Sequence, residues 1–247
     1  MRYLIFDTET TGRMTTRGEA KPMNISCFPH IISLSWIIVN LDNHSNAAPE
    51  VTTTEHNLIR LPDNVDNEPE ALEVHGITKE MAAEKGMTIS DALLKFAKDM
   101  SGVDAIIAHN MNFDRRMIEA EWVRMMIDGS CDNIVTEGYV TFNKKKKQLA
   151  RTKNIHCTMY STTEFCKLPT TWKKEQFQRT TPAKEEYKWP KLEELHEKLF
   201  GTKPGNLHDS LHDCLVCLRC YMKFVHNNDI LDSQTMRQTF TDKGILV

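Results

Sequence analysis

Short stretches rich in β-branched and aromatic residues alternate with longer ones of helical period along this chain. Tyr3-Leu4-Ile5-Phe6, Ile31 to Val39, Val51 to Leu58 and Val103-Asp104-Ala105-Ile106-Ile107-Ala108 have the length and side-chain type of strands. The polar Asn40 to Glu50 connection makes the second and third an antiparallel meander, and a fifth strand is expected near Asn154 to Thr158. Ser90 to Met100 predicts an amphipathic helix opened by Ser90-Asp91. Phe113 to Asp128 predicts another, with Phe113, Met117, Ile118, Trp122, Met125 and Met126 at helical spacing. Lys191 to Phe200 is a third, stopped by Gly201 and Pro204, and about Asp209 to Val225 a fourth, carrying Leu211, Leu215, Leu218 and Tyr221. Leu61 to Thr88 reads as an acidic, proline-containing connection around His75-Gly76. The polar segment after Asn227 matches neither period.

Polar residues at the ends of these elements change the picture. Asp7 and Glu9 follow the first apolar run, and a strand repeats its faces every two residues, so both project from one side. Two carboxylates on one face repel each other and raise a pKa unless a cation neutralises them. Thr10-Thr11-Gly12 then forms a polar exit whose glycine permits close approach of a substrate backbone. After the fourth strand, His109-Asn110 begins a turn, and Asp114 follows at a helix start, a favourable place for an acid. His208 falls near the first turn of the last helix, and Asp213 lies about one and a half turns further, so both can face one cleft. Singly, each has a plainer reading. Asp-x-Glu is an N-cap or loop pair, Asp114 a helix cap, His75 a turn residue, and Asn110 and Phe113 packing residues. Jointly they are acids at the carboxyl ends of strands, where open α/β sheets hold their ligands, and they read as a two-metal phosphodiesterase.

The order Asp7-Thr8-Glu9-Thr10-Thr11-Gly12, then His109-Asn110-Met111-Asn112-Phe113-Asp114, then His208-x-x-x-x-Asp213 resembles the three motifs of the DnaQ-like, DEDDh-type 3′–5′ exonucleases. Val74-His75-Gly76-Ile77-Thr78 is similar to that family's His-Gly-Ile-Thr segment. Trp189-Pro190-Lys191-Leu192-Glu193-Glu194-Leu195 is similar to the helix before its last motif, and Cys157-Thr158-Met159 to a segment of the exonuclease X branch. The likeness runs from Tyr3 to about Val225. It implies a ribonuclease H-like α/β fold with a mixed five-stranded sheet flanked by helices. It also implies two divalent ions, Mg2+ or Mn2+, about 3.5 to 4 Å apart. Asp7, Glu9 and Asp213 would hold one and Asp7 with Asp114 the other, with His208 as general base and nucleoside 5′-monophosphates as product. His75, Gly76 and Ile77 would lie against the terminal nucleotide, with Thr10, Gly12, Asn110 and Phe113 lining the cleft. Arg13 stands where many relatives carry an apolar wedge. The implied partners are single-stranded DNA or RNA or the 3′ ends of duplexes; protein partners leave no readable signature and a homodimer is compatible.

Two other readings compete. A non-catalytic nucleic-acid-binding module on the same fold is disfavoured because all five motif residues are present. His208-Asp209-Ser210-Leu211-His212 has the His-x-x-x-His spacing of a zinc hydrolase helix, yet that reading leaves Asp7, Glu9 and Asp114 unexplained.

At 247 residues and 40% hydrophobic content, one exonuclease domain spanning 1–247 is feasible. No stretch is long enough to cross a bilayer and the start runs directly into a strand, so a soluble intracellular protein of cytoplasm or nucleus is expected, without membrane contact. Cys214, Cys217 and Cys220 fan around the last helix at three-residue spacing and read as buried core in a reducing compartment. The net charge of −3 conceals a segregation. Residues 141–191 hold 13 Lys or Arg against 4 Asp or Glu, and read as a basic insertion. Lys144 to Lys147, Arg151, Lys153, Lys173, Lys174 and Arg179 interleave there with Tyr160, Trp172, Phe177, Tyr187 and Trp189, a composition suited to phosphates and stacked bases.

Overall fold

A computed structural model describes residues 1–15, 24–41, 49–128, 133–170 and 187–245. Five strands form one sheet in the order β3-β2-β1-β4-β5. β1 (Arg2–Thr10), β2 (Ile31–Asn40) and β3 (Glu50–Leu58) make the antiparallel meander, while β4 (Ala105–Ala108) runs parallel to β1 and β5 (Ile155–Cys157) parallel to β4. β1 outlasts its apolar run by four residues, because Asp7 to Thr10 still pair with Ser35 to Ile31 across the ladder. Asp7 and Glu9 therefore belong to the strand itself.

Alternation along β1 sorts its side chains between two cores. Leu4 and Phe6 face the first, with Leu34, Trp36 and Ile106 of the sheet, packed beneath α3 (Ile89–Ser101), α4 (Met111–Ile127) and α5 (Asn133–Arg151). Tyr3 and Ile5 face the second, with Ile37, Val39 and Ile107, covered by α8 (Leu192–Phe200), α9 (Ser210–His226) and α10 (Gln234–Asp242). The polar tail that fits neither period is thus structured. Ile230, Met236, Phe240 and Ile245 seal the second core, and Arg219 grips Asp229 with Nε and Nη2 at 2.9 and 2.8 Å while its Nη1 meets buried His196.

Several boundaries move from their sequence positions for identifiable reasons. α3 is capped by Thr88, whose hydroxyl accepts from Asp91 N–H, and not by Ser90-Asp91. The Leu61 to Thr88 connection contains α1 (Pro69–His75) and α2 (Lys79–Lys85), both too short to show a period. Met126, assigned to the apolar stripe of α4, is exposed. The lysine run is not part of an inserted loop. Lys144 to Lys147 sit on α5, which buries Val135, Phe142 and Leu149, and Lys146 is committed to Glu119 at 2.7 Å. Trp172, Lys173, Lys174, Phe177 and Arg179 lie outside the described residues. Cys214, Cys217 and Cys220 are buried, and burial pushes all three thiols up, so they pack as inert core. Among the described residues no helix is long and apolar enough to cross a membrane.

Candidate active site

The end of β1 is where the two helical layers meet. Asp7 and Glu9 continue the side of Tyr3 and Ile5, toward α9, and Thr8 between them continues the side of Phe6, toward α4. Asp114 reaches Thr8 from that side. Its helix begins at Met111, with Asn110 at the N-cap in left-handed backbone (φ 61°) and no side-chain cap bond, so Asp114 already lies within the first turn. Only 2% exposed, its Oδ1 accepts from the Thr8 N–H at 3.1 Å and the Thr8 hydroxyl at 2.8 Å. Both bonds are charge-assisted and fix the carboxylate against the strand carrying Asp7 and Glu9, in place of a capping role.

Asp213 arrives from the opposite layer. Asp209 is the N-cap of α9, accepting from Leu211 and His212 N–H at 3.0 and 3.1 Å, and this leaves Asp213 in the first turn. Ser210 seats the helix on the sheet. Its hydroxyl lies 2.7 Å from those of Ser33 and Ser35, the β2 residues paired with Glu9 and Asp7. Three small hydroxyls let helix and sheet approach where larger side chains would hold them apart. Asp213 Oδ2 accepts from the His208 N–H at 3.1 Å. His208 precedes the helix, in left-handed backbone (φ 75°), and its ring is exposed. One ring nitrogen and single carboxylate oxygens of Glu9 and Asp213 all lie within 4.8 Å of one another. The zinc-hydrolase alternative loses its geometry here. His208 is off the helix that carries His212, whose Nδ1 instead bonds the Asn206 carbonyl at 3.0 Å.

Four acids from three distant segments therefore meet in one place, Asp114 and Asp213 buried and Asp7 and Glu9 half-buried. Burial first, then Asp114, Asp213, Glu9 and Asp209, push Asp7 well above the ordinary aspartate range. Burial and then Asp213, Asp114 and Asp209 raise Glu9 to about 9. Asp114 is raised to about 7 by burial, against the lowering effect of the Thr8 bonds. Asp213 is also raised to about 7, by burial and then by Asp209 and Asp114, against the His208 N–H. Among the described residues no Lys or Arg forms an ion pair with any of the four. Concentrated, uncompensated carboxylate oxygens are the donor set that hard divalent cations such as Mg2+ or Mn2+ require, so the residues present fit such ions.

The surrounding residues divide. Thr10 is buried and its hydroxyl donates to the Gly12 carbonyl at 2.8 Å. The space beside Gly12, read from sequence as room for a substrate, is taken by Glu68, whose carboxyl carbon lies 2.3 Å from where a Cβ would stand. His75 ends α1 against the Thr10 backbone and near His208, its pKa lowered by burial. Its Nδ1 accepts from Ile77 N–H at 3.0 Å across Gly76, which is left-handed at φ 68°. Ile77 itself is buried with Ile32, Leu61 and Ala82, and Phe113 packs half-buried on the first core.

Sequence reading passed over a brace on α4. Glu121 accepts from Ile31 N–H at 3.0 Å and from Arg124, and Arg124 donates to the Phe28 and Pro29 carbonyls. His30, held between them, accepts from the Thr11 N–H at its carbonyl and donates its own N–H to the Thr11 hydroxyl at 3.0 Å. A charged pair three residues apart on a helix gives no sign in sequence that it is buried. Asp209 was more legible, as an N-cap signature before an apolar helix.

A five-stranded mixed sheet flanked by helices, with carboxylates gathered at the carboxyl end of β1, has the ribonuclease H-like fold. The exonuclease family model, RNase_T, matches residues 4–221, and the chain belongs to that family. Among solved structures it is similar to E. coli exonuclease I in complex with a dT13 oligonucleotide, at TM-score 0.54 and 17% identity over 90% of this chain and 41% of that one. The zinc-bound E. coli exonuclease I complex with single-stranded DNA gives TM-score 0.56 and 16% identity over 94% and 42%. Exonuclease X in complex with 5′-overhanging duplex DNA is 26% identical over 47% of this chain and 52% of that one, at TM-score 0.31. The chain spans less than half the length of these exonuclease I chains. No curated protein matches it by sequence.

Proposed function

We propose that the protein is a metal-dependent 3′–5′ exonuclease that hydrolyses phosphodiester bonds of DNA or RNA and releases nucleoside 5′-monophosphates. The observation that carries this reading is the convergence of half-buried Asp7 and Glu9 with buried Asp114 and Asp213, without a cationic partner among the described residues, beside the exposed ring of His208. Asp7, Glu9 and Asp213 would hold one divalent ion, and Asp7 with Asp114 the second. When bound, such ions supply charge stabilisation at the phosphate and a water acidified toward neutrality.

The chain's own residues do the rest. His208 accepts the proton of the attacking water at the ring nitrogen nearest Glu9 and Asp213, and its exposure lets that proton leave to solvent. The bond from its N–H to Asp213 ties the base to a metal-holding carboxylate, so the two move together. Attack at phosphorus breaks the bond to the 3′ oxygen of the preceding nucleotide, which leaves a 5′-monophosphate. Thr8 holds Asp114 in one orientation through two bonds, and the Glu121–Arg124 brace steadies Thr11 at the strand exit. His75, beside Thr10, faces the terminal nucleotide.

Single-stranded DNA, bound by E. coli exonuclease I as dT13, is the first substrate to test. End-labelled single-stranded and duplex DNA and RNA, each with Mg2+, Mn2+ or Zn2+, should show stepwise shortening from the 3′ end with Mg2+ or Mn2+, abolished by Asp7→Asn. Oligonucleotide binding without shortening under any ion would return the chain to the role of a binding module.

A further inference from the structure

Two large rings stand bare beside this site. Tyr160 and Trp189 are 40% and 58% exposed and meet edge to face, ring centroids 5.1 Å apart at 89°. Their mounting is rigid. Tyr160 rides on α6 (Thr158–Ser161), whose first residue, Thr158, bonds His109 Nδ1 at 2.9 Å, while His109 Nε2 bonds the carbonyl of Pro190, next to Trp189, at 3.0 Å. His109 directly follows β4 and is largely buried, so one imidazole clamps both rings to the sheet's carboxyl end. The platform is also wired to the acid-bearing helix. Asn112, two residues before Asp114, donates to the Tyr160 hydroxyl at 3.4 Å, and Arg115 donates to Asn112 at 3.5 Å.

Exposed tryptophan sacrifices a large burial gain, and a rigid exposed pair has no role in either core. We infer that Tyr160 and Trp189 form a stacking platform for an unpaired base of a single-stranded nucleic acid, one nucleotide or more inward from the end being cleaved. The inference rests on the nuclease reading above and adds the substrate class. Rings at an active-site rim accept any base, because every base has a π face, and the Arg115 guanidinium alongside complements the phosphates. Position decides which base. The rings are mounted at the ends of β4 and β5, and β5 lies two strand spacings, about 10 Å, from the acids on β1. That is beyond the terminal nucleotide and within reach of its neighbours.

The test compares two substrates: a dT oligonucleotide, and the p-nitrophenyl ester of thymidine 5′-monophosphate, which has no second base. Trp189→Ala should lower the ratio of kcat/KM on the oligonucleotide to kcat/KM on the ester about 5- to 100-fold, mainly through KM. Trp189→Phe should recover most of it. An unchanged ratio for Trp189→Ala, with both substrates cleaved, overturns the platform and leaves the nuclease standing. If the wild-type chain cleaves neither substrate, the nuclease reading fails, and fluorescence anisotropy with the labelled oligonucleotide decides the platform separately. There, equal affinities for the wild-type chain and Trp189→Ala would end it.

Discussion

Asp114→Asn should make the metal-free protein more stable, although Asp114 is among the most buried polar residues in the chain. The substitution removes one charge and keeps an oxygen that can accept from the Thr8 N–H and hydroxyl. Without metal, folding moves this carboxyl from an ordinary value of 3.8 to about 7. Three units at about 1.4 kcal/mol each set a ceiling of about 4 kcal/mol for the penalty at pH 8. The asparagine amide still has to be desolvated, so about 2 to 4 kcal/mol should return, or roughly 5 to 15 °C in Tm for a chain of this size. The sign of the pH dependence follows from proton binding. With its pKa raised on folding, the native carboxyl holds a proton that the unfolded one has lost between about pH 4 and 7, so the contribution of this group to wild-type stability is greatest at low pH and declines through that window. Glu9, raised to about 9, extends the decline toward alkaline pH. Differential scanning calorimetry in EDTA at pH 5 and pH 8 should therefore show the largest gain for Asp114→Asn at pH 8. Added Mg2+ or Mn2+ should then stabilise wild type more than the variant. A variant destabilised equally at both pH values would mean that burial does not penalise the charge on Asp114, and the argument from an uncompensated buried carboxylate would lose its physical basis.

Three further outcomes test the framework around the acids. Ser210→Ala strands the buried Ser33 and Ser35 hydroxyls beneath α9; it should cost about 1 to 3 kcal/mol in urea unfolding and slow turnover by displacing Asp213, and wild-type values of both would remove the serines' seating role. Gly12→Ala drives the Glu68 carboxylate from its place beside the Arg13 N–H, a loss of about 1 kcal/mol that should shrink when Glu68→Ala is added; strict additivity of the two would contradict the contact. Asp229→Ala leaves Arg219 buried with two unpaired donors and should cost about 3 kcal/mol in thermal unfolding at pH 7. Burial alone would raise the Asp229 pKa, but the Arg219 bonds and the Leu231 N–H hold it below its ordinary value, so this stability is complete at neutral pH and fades in acid. A loss of equal size at pH 3 would refute the charged pair.

The sequence by itself determined the sheet and the acid motifs. Period-two and period-3.6 patterns are local, so the five strands and the helices carrying Asp114 and Asp213 could be read in order, and the spacing Asp7-x-Glu9 already placed two carboxylates on one face. Local pattern also set the limits. α1, α2 and α10 gain their stability by packing, which leaves little periodic trace in so few residues, and four consecutive lysines mask the buried face that Val135, Phe142 and Leu149 form on the same helix. Which layer each acid comes from was decided only by the tertiary structure. Thr8 points to α4 and its neighbours to α9, so Asp114 and Asp213 close on β1 from opposite sides, with the Ser33–Ser35–Ser210 seat under α9 and the Glu121–Arg124 brace on α4 fixing the two helices to the sheet. Such contacts join residues 90 or more positions apart in most of these cases, and whether a polar side chain is buried against its partner depends on how the layers stack.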